Sequence, residues 1–222
     1  GWYPIRLEHF QQNGTAVIEL RFEGPGQSKT IIPSTHLLTR LPAAPKVESV
    51  QYDAGSNQRS LIRSITIDFD AQVIVDAGSF VLTTQSGSQV ALNDPVLTLV
   101  DGKTRAVLTF SGDHVDGTGS LADGSYRLSV LSTRVRDSFG NALDGDDDGV
   151  AGGNLVDDFF KLYGDVDGNG VVDRRDFAFM RQAFGRSSDD ELFNAAFDWD
   201  NDGVVDRRDF AFFRSNYGRR MG

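Results

Sequence analysis

Oxygen-bearing side chains recur at fixed spacing in two stretches of the C-terminal third of the chain. Residues 165–185 (DVDGNGVVDRRDFAFMRQAFG) and 198–218 (DWDNDGVVDRRDFAFFRSNYG) are identical at 14 of 21 positions. In both, positions one, three, five, nine and twelve carry a carboxylate or an amide, and position six is glycine. These side chains are Asp165, Asp167, Asn169, Asp173 and Asp176 in the first stretch, and Asp198, Asp200, Asp202, Asp206 and Asp209 in the second. Convergent oxygens at this spacing are suited to a hard metal ion.

The spacing is that of an EF-hand calcium loop. Ca²⁺ takes about six to eight oxygens at roughly 2.3–2.6 Å, so a single loop must curl around it. The glycine at position six permits the bend, and the carbonyl of Val171 or Val204 at position seven adds a backbone oxygen. Position nine usually acts through a water, and position twelve lies in the first turn of the following helix. Because that residue is Asp in place of the usual Glu, we expect an altered affinity. The two loops predict two calcium ions.

Short runs rich in Asp and Gly also form simple turns. Two complete copies, each leading into a near-identical apolar helix, favour calcium binding over that alternative. The helices are expected to pack through Phe177, Met180 and Phe184 against the equivalent face of the second repeat, whereas Phe179 and Phe212 are candidates for a partner surface.

The ends of these helices and the segment between them also carry signals. Gly185 and Gly218 read as helix C-caps. Residues 187–197 (SSDDELFNAAF) predict a further helix, with Ser187 or Ser188 as its N-cap.

Residues 164–220 resemble a dockerin domain, in which two calcium loop-and-helix repeats are joined by a short linker. The segment shares with that family the missing entering helix before the first loop and the Asp at position twelve. The resemblance implies docking of the helices onto a cohesin-like protein, with loop positions ten and eleven important for recognition. These positions are Arg174 and Arg175 in the first repeat and Arg207 and Arg208 in the second. Many cellulosomal dockerins carry Ser or Thr there, which argues against a standard cellulosomal partner. The alternative is that the arginines neutralise neighbouring loop carboxylates.

The net charge of −10 is concentrated in the calcium region. Residues 144–209 hold 18 acidic side chains against 7 basic ones, and bound calcium would offset part of this charge. An acidic surface of this kind argues against a nucleic-acid partner. There are no cysteines, so no disulfide stabilises the chain, and no apolar run is long enough for a membrane span.

In the first 44 residues, apolar and polar residues alternate as is typical of β-strands, for example at the apolar Ile18, Leu20 and Phe22. The order YPIRLEHFQQNGTAVIELRFEGPG…IIPSTHLL resembles the last strands of the sugar-binding β-sandwich first described in anthrax protective antigen. Calcium and sugar ligands of that family lie mostly upstream, so none is assigned here. Because residue 1 already lies in a strand-like pattern, we expect the chain to be part of a longer protein. His9 and His36 lack metal-like spacing.

A proline-marked linker (41–48) precedes a second β-rich segment. One strand is predicted from the apolar residues Leu61, Ile65, Ile67 and Phe69. Further strands are predicted from the same alternation of apolar and polar residues at Phe80, Leu82, Val107, Thr109, Tyr126, Leu128 and Val130. The pattern IDFDAQV…SFVL…GSYRLSV…VRDSFGNALDGD resembles, at the level of architecture, the Ig-like modules of bacterial surface and secreted proteins. The predicted fold is therefore multidomain: an incomplete β-sandwich (1–44), an Ig-like β-sandwich (45–163) and a small all-α calcium-binding loop-helix module (164–222).

A third acidic run precedes the last strand of this sandwich. Asp144, Asp146 and Asp148 follow the first half of the calcium pattern, but position twelve is Leu155. Asp157 or Asp158 is the candidate to complete the site, and a third calcium ion and an acidic turn are both open. The strand 154–164 runs directly into Asp165, so we expect the sandwich to pack on the first loop and calcium to stiffen the joint.

The carboxylates lie at metal-ligand spacing and not as isolated pairs, and His114 has no GxSxG partner, so the chain is predicted to be non-catalytic. Three hypotheses follow: calcium-dependent docking of an extracellular or cell-surface protein, a purely structural role for calcium, and carbohydrate binding by the β region as an accessory to a larger secreted enzyme. Chelation is expected to unfold residues 164–222 and to leave the sandwich largely folded. The partner, the upstream domains, the calcium affinity and the oligomeric state stay open.

Overall fold

The computed structural model describes residues 20–32, 43–55 and 57–221. The chain divides into two compact units, residues 1–43 and 44–222. In the first unit, β1 (Arg21–Gly24) and β2 (Gln27–Ile31) form an antiparallel hairpin whose turn contains Pro25 and Gly26. The left-handed φ of +78° at Gly26 suits such a turn. Of the strand predicted from Ile18, Leu20 and Phe22, the part from Arg21 onward is confirmed. Ile18, His9, His36 and most of the proposed sugar-binding fragment lie outside the described residues.

The second unit is built mainly from antiparallel strands. They are β3 (Val47–Tyr52), β4 (Ile65–Phe69), β5 (Val73–Val75), β6 (Phe80–Thr84), β7 (Gln89–Leu92), β8 (Val96–Val100), β9 (Lys103–Leu108), β10 (Phe110–Ser111), β11 (Gly124–Val130), β12 (Val135–Asp137) and β13 (Leu155–Lys161). One sheet has the order β3-β4-β9-β8 and a second has the order β10-β7-β6-β11-β13, while β12 pairs with β5.

Both sheets contribute to one apolar core. Along β4, buried Ile65, Ile67 and Phe69 alternate with partly exposed residues, and on the other sheet Leu82 and Leu128 are fully buried. Because side chains alternate between the faces of a strand, each sheet buries one face against the other. The predicted β-rich architecture is confirmed.

Two details of the predicted strands are wrong. Leu61 precedes β4 and is buried in a different cluster from Ile65. In β9 the core-facing residues are Ala106 and Leu108, whereas Val107 is only partly buried and Thr109 lies exposed beyond the strand. The inward row includes a polar residue that the apolar pattern does not reveal: Thr104 is 4% exposed, and its Oγ1 accepts a hydrogen bond from the Val73 N–H at 2.9 Å.

The C-terminal part contains two short helices, α1 (Arg174–Ala183) and α2 (Arg207–Asn216). Each begins with a capping box, because the side chains at loop positions nine and twelve bond each other's backbone N–H groups. Gly185 and Gly218 follow the C-cap residues with φ of +79° and +85°, which confirms their predicted role. Among the described residues, no helix is long and apolar enough to cross a membrane.

The predicted helix over residues 187–197 is wrong. The segment forms turns followed by a short 3-10 helix, Ala195–Phe197, whose N-cap is Asn194. Ser188 donates its backbone N–H to the Gly203 carbonyl at 2.8 Å, and Asp190 accepts the Leu192 N–H at 2.8 Å. Polar side chains that bond nearby backbone groups compete with helix formation, and here this local bonding prevails.

A second apolar cluster joins the sandwich to the helical part. Leu61 and Leu162 lie in it beside Met180 and Phe213 of the repeats and Phe197 of the short 3-10 helix. The predicted packing of the sandwich on the calcium region is therefore confirmed. Residues 44–222 form one compact unit, and the boundary between residues 163 and 164 stays a prediction.

Candidate metal centre

The first loop is organised by a buried carboxylate. Asp165 is 0% exposed; its Oδ1 accepts the N–H groups of Gly168 and Asn169 at 2.8 and 3.1 Å, and its Oδ2 accepts that of Gly170 at 2.8 Å. Asp176, also 0% exposed, bonds the Val166 N–H at 2.9 Å from the first turn of α1. Position one therefore curls the loop, and position twelve ties it to the helix.

The remaining residues of the first loop stabilise the bend. Asp167 accepts the Asn169 N–H at 3.2 Å, and the Asn169 side chain accepts the Val171 N–H at 2.8 Å. Asp173 caps α1 by accepting the Arg175 N–H at 2.7 Å. The predicted ligand residues of the first loop thus lie either in the loop itself or, for Asp176, in the first turn of α1.

Three carboxylates of the first loop converge. One oxygen from each of Asp165, Asp167 and Asp176 lies within 4.8 Å of the others. Burial raises the pKa of Asp165 to about 6, with a further contribution from the charge of Asp176, and burial also raises the pKa of Asp176. Buried carboxylates at this separation disfavour each other's ionised form, and a cation between them removes that penalty.

The second loop also gathers three carboxylates, here from positions one, three and five. Oxygens of Asp198, Asp200 and Asp202 lie within 4.8 Å of one another. Asp198 accepts the N–H groups of Asp202 and Gly203, each at 3.1 Å, and burial raises its pKa. Asp200 Oδ1 is buried and has no hydrogen-bond partner among the described residues. Since a buried, unpartnered carboxylate oxygen is costly, its position fits a metal ligand.

Position twelve of the second loop also anchors a helix. Asp209, 0% exposed, accepts the Trp199 N–H at 2.7 Å and the Asp206 N–H at 2.7 Å, and burial raises its pKa. Asp206 in turn caps α2 through the Arg208 N–H, and the Val204 N–H is held by Asp202 at 2.9 Å. Closure of the loop and the start of the helix therefore share the same side chains.

A segment of the sandwich, residues 57–63, contacts both loops; we call it the bridging segment. The Arg59 N–H donates to the backbone carbonyl of Asp165 at 2.8 Å, and the Arg63 guanidinium donates to that of Asp198 at 2.9 Å. Between them, the Ser60 hydroxyl donates to the Ala196 carbonyl at 2.6 Å. Position one of each loop is thus held from the sandwich side, which loop spacing alone does not predict.

A buried ion pair completes the joint. Asp123 accepts hydrogen bonds from Lys161, which is 3% exposed, at 2.9 Å, from the Asn216 amide at 2.9 Å and from Arg219 at 2.7 Å. Burial alone would raise the pKa of Asp123, but the charge of Lys161 and hydrogen bonds from the Tyr163 N–H, Lys161 and Asn216 lower it. The signal in the sequence is a lysine inside the apolar run FFKLY, because a buried ammonium requires an acidic partner.

The acidic run before β13 also gathers its side chains. One oxygen from each of Asp144, Asp146 and Asp148 lies within 4.8 Å of the others. The Lys46 ammonium lies 3.2 Å from Asp144 and also bonds Asp147. A cation from the chain itself is therefore already beside this cluster, and a third calcium ion stays a prediction.

Neither residue expected to complete this third cluster does so. Asp157 accepts a hydrogen bond from the Tyr52 hydroxyl at 2.5 Å, and Asp158 forms an ion pair with Arg127 at 2.7 Å. Both lie within β13: Asp158 stands opposite Arg127 of the neighbouring strand β11, and Asp157 bonds Tyr52 of β3 in the other sheet. The expectation that either one closes the Asp144 loop is wrong.

The arginines at loop positions ten and eleven lie at the exposed N-terminal ends of α1 and α2. Arg174, Arg175 and Arg207 are exposed, and Arg208 lies 3.4 Å from Asp200 with 74% of its side chain exposed. Neutralisation of a loop carboxylate is therefore seen for Arg208, at an exposure where an ion pair contributes little. All four side chains are accessible to a partner.

The helices expose aromatic side chains as well. Phe177 contacts Phe210 and Phe213 at ring-centroid distances of 6.4 and 6.2 Å, which confirms packing between the two helical faces. Phe184, expected on the packed face, is 44% exposed and borders an open apolar groove. Phe179 is 46% exposed, in agreement with its predicted place on the outer surface.

Two capped loop-and-helix repeats with clustered buried carboxylates define a tandem calcium-loop module. Residues 163–215 match the family model described as dockerin type I domain, which confirms the resemblance for this segment. Dockerin domains bind calcium, and a dockerin implies calcium-dependent docking to cohesins. No curated protein matches the chain.

Proposed function

We propose that this chain is a non-catalytic calcium-binding segment of a secreted or cell-surface protein and that its C-terminal module docks onto a cohesin-like receptor. The observation that carries the proposal is the match over residues 163–215 together with two loops whose carboxylates converge. Dockerin-containing proteins are typically secreted or displayed at the cell surface, which supports the extracellular setting. The absence of catalysis is part of the proposal, since the clustered carboxylates have metal-binding or ion-pair roles.

The ligand set that we assign follows the loop positions. It comprises the side chains of Asp165, Asp167, Asn169, Asp173 and Asp176 with the Val171 carbonyl, and those of Asp198, Asp200, Asp202, Asp206 and Asp209 with the Val204 carbonyl. Bound calcium supplies the positive charge that allows these carboxylates to stay ionised at close range.

The chain itself connects loop closure to the docking surface. Asp176 and Asp209 are assigned as ligands and also belong to the capping box of a helix, so we infer that the position of each helix depends on its closed loop. The arginine pairs occupy the first turn of the same helices. We therefore infer that cohesin recognition requires both loops to be loaded.

The test is binding of the full chain to immobilised type I cohesins, in calcium and after chelation. We expect binding in calcium, loss on chelation, and loss when Arg174 and Arg175, or Arg207 and Arg208, are changed to Asp. Arg134→Asp, at an exposed arginine of the sandwich, is the matched control and should bind like the wild type. Binding that is indifferent to chelation, or none to any cohesin, would contradict the proposal.

A purely structural role for calcium is the second candidate. It is supported by the bridging segment, because hydrogen bonds from Arg59 and Arg63 make the loops part of the contact with the sandwich. If calcium raises the thermal stability of the chain and no cohesin is bound, this role replaces docking.

We also propose that residues 45–163 belong to the Ig-like class of β-sandwiches, on the support of two antiparallel sheets that share one core. A carbohydrate-accessory role rests only on the resemblance of residues 1–44. A glycan array probed with the full chain tests it, and absence of binding removes it.

A further inference from the structure

We infer that two copies of this chain associate by antiparallel pairing of their β8 strands about a two-fold axis at Thr98. All residues of β8 are exposed, and four of them are apolar: Val96 (60%), Leu97 (44%), Leu99 (59%) and Val100 (40%). The strand ends the sheet order β3-β4-β9-β8, so one of its edges has no neighbouring strand in that sheet. An apolar, uncharged edge strand is a template for pairing with another strand.

The other edge strands of the two sheets are either charged or very short, and β10 has only two residues. The opposite end of the same sheet, β3, carries exposed Glu48, and β13 at the end of the second sheet carries Asp157 and Asp158. Charges on an edge strand discourage pairing. β8 lacks this protection along its whole length, which singles it out as the edge for association.

The backbone of β8 is in the correct phase for self-pairing. A two-residue turn, Asp101 and Gly102 with φ of +52° and +79°, joins β8 to β9 and pairs Val100 with Lys103. The residues that flank such a turn are hydrogen-bonded to each other, and bonding alternates along the strand. Consequently, the backbone N–H and C=O groups of Leu97 and Leu99 point away from β9, toward the free edge.

The sequence of the strand is a palindrome, VLTLV. In an antiparallel pair centred on Thr98, Leu97 lies opposite Leu99 of the second copy, and Val96 lies opposite Val100. The free backbone groups of both leucines then meet their equivalents, and each Leu97–Leu99 pair exchanges both hydrogen bonds. A register shifted toward the N-terminus would set Pro95, which has no N–H, opposite Leu99. The Thr98-centred register therefore satisfies the most backbone groups.

The charges that flank β8 are compatible with this register. In this register Asp94 lies opposite Gly102 of the second copy, and Asp101 lies opposite Pro95. No carboxylate therefore faces another directly across the axis. The palindrome, together with the absence of facing carboxylates, favours a second copy over an unrelated strand as the occupant of the edge.

The expected dimer is weak. Pairing of two five-residue strands buries much less than the roughly 800 Å² per partner of a stable interface. Because the chain carries a net charge of −10, added salt should screen repulsion between copies and strengthen the dimer.

Thr98 provides the first test, because the axis places it opposite itself. In sedimentation velocity of the full chain, we expect a concentration-dependent dimer that Thr98→Lys and Thr98→Glu each abolish and that an equal mixture of the two variants restores. Val156→Lys, at a 55% exposed residue of β13, is the matched control and should dimerise like the wild type. Two results would overturn the inference. One is a wild type that stays monomeric up to about 1 mM, which would leave the edge to a strand of another protein. The other is a dimer that persists in both Thr98→Lys and Thr98→Glu.

A cross-linking experiment is independent of any loss of stability from charge. The chain has no cysteine, so Thr98→Cys introduces a single thiol. Opposed residues of a non-hydrogen-bonded pair have Cα atoms about 4.5 Å apart, within the range of a disulfide. We expect oxidation to give a covalent dimer of Thr98→Cys and not of Val156→Cys. No dimer, or equal dimer from both variants, would refute pairing through β8. Neither experiment depends on cohesin binding.

Discussion

At position one of each calcium loop, a single carboxylate both belongs to the metal cluster and holds the loop backbone. Asp165 accepts three backbone N–H groups and Asp198 accepts two. The same atoms therefore determine the bend and contribute charge to the cage. This dual use explains why these residues are buried although they are acidic.

Replacing Asp165 should remove one calcium ion and weaken the fold. Asp165→Ala leaves three backbone N–H groups without this acceptor, and the buried one of Gly170 alone should cost about 1–3 kcal/mol. We expect titration calorimetry to show one ion fewer than in the wild type, with a lower thermal midpoint. Asp165→Asn, which keeps an acceptor oxygen, should lose affinity but retain more stability. An unchanged stoichiometry in Asp165→Ala would remove Asp165 from the ligand set.

Protons should compete with calcium at this residue. In the metal-free chain, burial raises the pKa of Asp165 to about 6, above the value of about 3.9 in an unfolded chain. Protonation of Asp165 therefore stabilises the folded metal-free chain. This stabilisation is fully present at a pH below the pKa of the unfolded chain and is lost as the pH rises through about 6. Accordingly, calcium affinity should fall as the pH drops below 6.

The measurement is calcium titration at pH values on both sides of this range, together with thermal midpoints of the metal-free chain. Comparison with Asp165→Asn isolates the contribution of this group, because Asn does not titrate. An equal loss of metal-free stability with rising pH in the wild type and in Asp165→Asn would contradict the assignment to Asp165.

At the scale of elements, the C-terminus of α2 is fixed to β13 by charge. Lys161 projects from the strand into the joint, and Asp123 bonds it together with Asn216 and Arg219. Both partners lie in a largely buried environment, so neither tolerates loss of the other. The ion pair therefore contributes to the orientation of α2 relative to the sandwich.

Removing one partner of this pair should be more harmful than removing both. Asp123→Ala leaves the buried Lys161 ammonium uncompensated, at an expected cost of about 3–5 kcal/mol. The double variant Asp123→Ala with Lys161→Met should recover part of that loss, since no buried charge remains. Denaturant unfolding of the two single variants and the double variant forms the cycle. Additive effects of the two substitutions would show that the pair is not coupled.

The elements that could be predicted from the sequence are those determined by residues close together in the chain. The loops, α1, α2 and their terminal glycines follow from residues within a single repeat, because ligand spacing and caps are short-range features. The inward row of β9 was not predicted, because it includes the polar Thr104, whose hydroxyl accepts the Val73 N–H. Turns stand in place of the predicted helix 187–197, where Asp190 bonds the Leu192 N–H. The bridging segment was not predicted, since Arg63 and Asp198 meet only through the fold.

At the scale of the molecule, the acidic loops lie against the sandwich, while the arginines at the N-terminal ends of α1 and α2 face solvent. Ser60 donates to the Ala196 carbonyl, and the Gly164 N–H donates to the Ser60 hydroxyl at 2.8 Å, both in a buried environment. The two segments also approach each other so closely that Gly168 has no room for a side chain, because a Cβ there would lie 2.2 Å from the Asn57 carbonyl oxygen. The loops and the bridging segment therefore form one structural unit, whose order should depend on calcium.

Hydrogen exchange of the intact chain tests this dependence. On chelation, repulsion among the buried carboxylates should open both loops, so amides of residues 165–216 lose protection. The bridging segment should lose protection with them, because the carbonyls that Arg59 and Arg63 bond belong to the loops. Strand β11 should stay protected, since its buried residues belong to the separate core between the two sheets. If residues 57–63 keep their protection after chelation while the loops lose it, the sandwich and the calcium module are independent, and the bridging contacts do not couple them.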